Sequence, residues 1–211
     1  MKLWQKTIGV IIFFSYLAIP VFIWIKLSFT PVSFVNFANS SRSLGQILGL
    51  LGVSLFTLNF ILAARLRMIE DWIGGLNRVY ILHHQIGAYA LIFLLFHPLF
   101  LTLQYLVISV VAAAQFLLPP TAEIAVWLGI GALITLTILL IITFFFRIEY
   151  QRWKITHRLL GVSLLLAFLH VLTISGDLSS NLIQRLYLLT VMGIGLLAWF
   201  YRSLLHKWLV K

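Results

Sequence analysis

The stretch HHQIGAYALIFLLFH, residues 83–97, decides how the chain is read. It is apolar enough for a membrane interior, yet it has histidines at both ends. A polar ring in hydrocarbon costs free energy unless something satisfies it. Extended to Val79–Tyr105, the segment exceeds the roughly 20 residues that cross a hydrocarbon core about 30 Å thick.

Five more segments meet or approach that length: Thr7–Ile25, Ile47–Ala64, Ile124–Phe146, Ile155–Ile174 and Leu186–Tyr201. FANSSRS (37–43), IGGLNR (73–78), LLPPTAE (117–123) and SGDLSSN (175–181) separate them, rich in the Gly, Pro, Ser and Asn that break helical patterns. The expected fold is all-α, an integral membrane six-helix bundle forming one domain over residues 1–211. The composition agrees: 62% of the residues are hydrophobic and 9% charged, against roughly 25% charged in soluble domains.

The net charge of +10 does not point to nucleic acid, because the basic residues are scattered between apolar blocks and form no stripe. They act as topology signals. With a cytoplasmic N-terminus, the inner segments carry Lys2, Lys6, Arg65, Arg67, Arg78, Arg147, Arg152, Lys154, Arg158, Arg202, Lys207 and Lys211, and the outer ones carry Lys26, Arg42 and Arg185. The positive-inside rule then puts both termini in the cytoplasm. Trp4, Trp72, Trp153 and Trp208 fall at the inner interface, and Trp24 and Trp127 at the outer one. The first apolar run is too long for a signal peptide and no small-residue cleavage site follows it, so it is expected to stay as a span. A multi-pass protein of the cell (inner or plasma) membrane is expected.

There are no cysteines, so any metal must use other ligands. Of the six histidines, His83 and His97 stand 14 residues apart on the third span, and His157 and His170 stand 13 apart on the fifth. Both spans run outward, which gives two facing pairs at two depths about 20 Å apart at 1.5 Å per residue. Neutral imidazole is a good axial ligand for haem iron, and each pair can hold one bis-histidine haem. Gly87 and Gly161 each follow the inner histidine by four residues, one turn along the same face, where a missing side chain gives a flat macrocycle room. One feature runs against straight helices: at about 100° per residue, 14 positions return within roughly 40° of the same face, but 13 miss by about 140°. The fifth span must be tilted or distorted, or must present its ligands to rotated haems. His84, about 100° from His83, and His206, in the basic tail, receive no role.

With these residues in view, HHQIGAYALIFLLFH on the third of six spans and HRLLGVSLLLAFLH (157–170) on the fifth resemble the ferric reductase-like transmembrane domain of ferric reductases and NADPH oxidases. The resemblance covers nearly the whole chain. It implies two haem b groups, with iron held by His83 and His157 at the inner level and by His97 and His170 at the outer. Electrons would pass from cytosolic reduced flavin and NAD(P)H to an extracytoplasmic acceptor, Fe(III) or O2. Relatives often carry an arginine near Gln46, where this chain has Arg42 one turn earlier, which weakens the case for oxygen. Relatives also continue into FAD-binding and NAD(P)H-binding domains. This chain stops at Lys211 without a dinucleotide glycine fingerprint, so FAD and NAD(P)H are expected on a missing domain or a partner flavoprotein. The haem-binding subunit of periplasmic methionine sulfoxide reductase is a neighbouring resemblance, and the full set of four histidines favours the two-haem branch. Arg78, Arg158 and Arg42 are candidate partners for haem propionates.

Two other classes stay open on the residues. A quinone-linked cytochrome b-like subunit also stacks two haems, but all five acidic residues (Glu70, Asp71, Glu123, Glu149, Asp177) lie outside the spans. A transporter or scaffold would use the histidines for packing or proton relay.

Overall fold

Residues 3–119 and 123–205 are described by the structure, a computed structural model. Lys2, Pro120, His206, Lys207, Trp208 and Lys211 lie outside the described residues, as do the side chains of Trp4 and Lys6. The chain folds into α1 (Leu3–Leu27), α2 (Phe37–Ala63), α3 (Arg67–Ile73), α4 (Leu76–Leu103), α5 (Val110–Leu117), α6 (Ile124–Phe145), α7 (Tyr150–Arg158), α8 (Leu160–Thr173), α9 (Asp177–Ser180) and α10 (Leu182–Phe200), closed by a π-helical turn at Tyr201–Leu205. Six stretches are long and apolar enough to cross a membrane: Gly9–Leu27, Phe37–Ala63, Leu76–Leu103, Ile124–Phe145, Tyr150–Thr173 and Leu182–Ser203. The protein is an all-α, multi-pass membrane protein. The end of the bundle where α1 starts and α10 finishes is called the near end, and the other the far end.

One expected break is helical. FANSSRS, read as a turn, forms the first two turns of α2, so this span begins ten residues before Ile47. Asn36 caps it, its side chain accepting the Asn39 N–H at 2.9 Å. Ser43 donates to the Ser33 carbonyl at 2.9 Å, and Ser41 and Ser43 are buried. Small hydroxyl side chains let the helix start inside the bundle, where a sequence pattern records only polar residues. SGDLSSN likewise contains a short helix, α9, and residues 120–122 of LLPPTAE lie outside the described residues. Gly74 and Gly75, between α3 and α4, have φ of 102° and 106°, in the left-handed region that glycine enters without steric cost.

Lipid offers no hydrophobic push between helices, so close contact depends on small residues. The α2–α4 seam shows this. A Cβ on Gly45, Gly49 or Gly52 would come within 3 Å of Leu101, His97 or Leu94 respectively, so the two antiparallel helices meet backbone to side chain. α6 and α8 form a second antiparallel pair, tied by Ser163 Oγ donating to the Ala132 carbonyl at 2.7 Å. α10 packs across both pairs: Gly195 sits against Thr57 of α2 and Leu164 of α8, and Leu188 and Met192 are buried beside it. α1 covers α2 through Tyr16 Oη to the Ser54 carbonyl (2.9 Å) and Trp24 Nε1 to Gln46 Oε1 (2.9 Å). α4, which carries His83 and His97, and α8, which carries His170, are each seated on their own partner and form no extended contact with each other among the described residues.

The fifth span is broken between its two histidines. α7 ends at Arg158 and α8 starts at Leu160. At the junction Leu159 N–H reaches both Ile155 and Thr156 carbonyls (3.2 and 3.1 Å), and Val162 N–H donates to Leu159 at 2.8 Å. The bonds to Thr156 and Leu159 are i→i+3 bonds, and such a turn advances about 120° per residue instead of about 100°. Three residues so wound add roughly 60°, which recovers less than half of the roughly 140° mismatch. The Arg158 carbonyl at the junction accepts Trp199 Nε1–H at 2.8 Å. A Cβ on Gly161 would overlap the Trp199 indole, so glycine is what lets α10 reach that carbonyl.

Candidate functional site

Each histidine-bearing span places one ring at each end of the bundle. At the near end, His83 of α4 faces His157 of α7, with ring centres 6.1 Å apart and planes at 59°. Both rings are half-buried. Two imidazoles that ligate one ion from opposite sides, at metal–nitrogen distances of about 2 Å, have ring centres roughly 6 Å apart. The pair thus has the separation that a shared axial position requires.

Trp153, one turn before His157, stacks on its ring at 5.0 Å and 14°, and Tyr150 stacks on Trp153 at 5.8 Å. The Nδ1 atoms of His83 and His157 are buried without a hydrogen bond. Asn59 of α2 lies alongside: a Cβ on Gly87 would come to 2.8 Å from its Nδ2. Gly87 and Gly161 stand four residues after the histidines as expected, and the sides on which a Cβ would project are taken by Asn59 and Trp199. His84 is exposed and meets His83 edge-on at 6.1 Å.

At the far end the rings are held differently. His97 Nδ1 lies 2.8 Å from the Gly45 carbonyl of α2, and His170 Nδ1 lies 2.7 Å from the Ala125 carbonyl of α6. A carbonyl only accepts, so Nδ1 carries the hydrogen in both. Nε2 is left with its lone pair, the form that ligates a metal. His83 and His157 are thus in direct ring contact at the near end, and His97 and His170 are each tied to a backbone carbonyl at the far end. Among the described residues no group of three or more His, Asp and Glu side chains gathers into a protein-only metal site.

The family described as ferric reductase like transmembrane component matches residues 48–168. The chain belongs to that family. The match runs from α2 to α8 and includes His83, His97 and His157, with His170 two residues beyond it. No curated protein matches the chain in a sequence search. As a ferric reductase-like transmembrane domain, the protein is the membrane domain of an oxidoreductase family associated with transmembrane electron transfer.

Sequence reasoning missed the residues that hold the rings. Gly49 and Gly129 lie against His97 and His170, and Trp153 and Trp199 lie around His157 and its helix break. The Gly45, Gly49, Gly52 series was not read as a seam, because its partner face lies on another helix. Trp199 gave no signal, because an indole near a helix end reads as an interfacial anchor.

Proposed function

We propose that the protein carries electrons across the cell membrane through two b-type haems, one held by His83 and His157 and the other by His97 and His170. Both termini are cytoplasmic, so the near pair is the inner site and the far pair the outer, in one domain. The donor is a reduced flavin, fed by NAD(P)H, on another domain or a partner protein at the basic inner loops. The acceptor is extracytoplasmic, Fe(III) or O2.

The observation that carries this reading is the near pair, two imidazoles from separate spans with centres 6.1 Å apart. The far pair supports it, because both rings are held as Nδ1–H tautomers with Nε2 free. Haem, when bound, supplies a one-electron Fe(III)/Fe(II) couple at each level. The chain's own contribution is to hold the rings and to exclude water. His83 and His157 meet beside the stacked Trp153, with Gly87 and Gly161 admitting Asn59 and Trp199 next to them. His97 and His170 are fixed from behind by backbone carbonyls. Outward electron movement down a negative-inside potential of 100 mV is favourable by about 2.3 kcal/mol per charge, which agrees with the inner-to-outer direction.

The test is the visible spectrum of protein purified from haem-supplied cells. A b-type spectrum at two haems per chain supports the proposal. A colourless chain overturns it.

A further inference from the structure

The two far-end histidines share a local design. Each donates Nδ1–H to the carbonyl of residue i on a neighbouring helix, Gly45 of α2 or Ala125 of α6. In each case residue i+4 of that helix is a glycine, Gly49 or Gly129. In an α-helix the Cα–Cβ bond tilts toward the N-terminus, so the side chain at i+4 covers the turn that contains the carbonyl of residue i. A glycine there uncovers that carbonyl to a group from outside. A Cβ on Gly49 would come to 2.5 Å from His97 Nδ1, and one on Gly129 to 2.9 Å from His170 Nδ1, the same nitrogens that make the bonds. The same arrangement stands on two helices, α2 and α6. Gly131, two residues along α6, meets only Leu166 at 3.8 Å, and Gly193 on α10 meets nothing within 4 Å.

We propose that Gly49 and Gly129 are positioning residues for the far pair: they open the Gly45 and Ala125 carbonyls to His97 and His170, which fixes the tautomer and aim of each imidazole. The proposal rests on the two-haem reading. A hydrogen bond from the second ring nitrogen of a metal-bound histidine to a carbonyl raises ligand basicity and holds the ring's orientation. Stronger donation favours the ferric state, so the carbonyl bonds lower the far haem's potential. At the near end the Nδ1 atoms of His83 and His157 have no hydrogen bond.

The experiment is haem stoichiometry and a spectroscopic redox titration on the purified haem-loaded protein and its Gly129→Ala and Gly49→Ala variants, with Gly131→Ala and Gly193→Ala as controls. The expected result is loss of the far haem, or an upward shift of its midpoint, with the near haem unchanged and both controls like the parent. The retained near haem shows that the variant has folded. Two unshifted haems in both Gly129→Ala and Gly49→Ala overturn the proposal. So does an equal change at both haems, or the same effect in Gly131→Ala. If the parent chain binds no haem, the two-haem reading falls, and ¹⁵N NMR of the histidine-labelled chain tests the positioning alone. Nδ1–H tautomers at His97 and His170 then support it, and Nε2–H tautomers overturn it.

Discussion

The two ends of the bundle place the same residue type with different devices. At the far end each imidazole is tied through Nδ1 to a backbone carbonyl over a glycine. At the near end the rings are placed by side chains, with Trp153 stacked on His157 and both Nδ1 atoms unbonded. Backbone carbonyls in packed helices move little, whereas a stacked indole constrains a ring's plane more than its position. The far pair is thus preorganised, and the near pair depends on neighbours and on the helix junction at Leu159.

The largest expected effect comes from removing a ligand. His170→Ala should abolish the far haem and spare the near one, as measured by haem content of the purified variant. Retention of the full complement would remove His170 from the ligand set. Gly161→Ala comes next. It forces the Trp199 indole off the Arg158 carbonyl, and overpacking of this kind costs about 1–3 kcal/mol. A lower Tm in detergent is expected, with the near haem released before the far one on heating. Simultaneous release would mean that the helix break does not bear specially on His157.

Trp153→Leu is milder. An aromatic contact beyond its buried area is worth about 0.5–1.5 kcal/mol, so the near haem should be retained and its reduced spectrum altered, with the far spectrum constant. A change confined to the far haem would contradict the assignment of levels. His84→Ala should do least. The ring is exposed and meets His83 only edge-on, so both haems and Tm should match the parent.

Much of the fold is legible in the sequence because the constraint that shapes it is simple: apolar segments of spanning length must be helices, since no water satisfies a bare backbone in lipid. The six spans and the two levels of histidines follow from length and spacing. What does not follow are features decided by a neighbouring helix. FANSSRS has loop composition, yet Asn36 and buried serines make it helical. The odd 13-residue spacing of His157 and His170 was legible as a conflict, but the break that relieves it depends on Trp199, 41 residues later. Gly87 and Gly161 drew attention because they share a helix face with the histidines. Gly49 and Gly129 did not, because their relation to His97 and His170 crosses between helices.

The most direct test is to remove histidines two at a time and count what is left. The double variant His97→Ala with His170→Ala removes both members of one level and should keep one haem per chain. His97→Ala with His157→Ala removes one member from each level and should keep none. One haem retained in both doubles would show that the ligands do not pair across the two spans by depth, and would contradict the account.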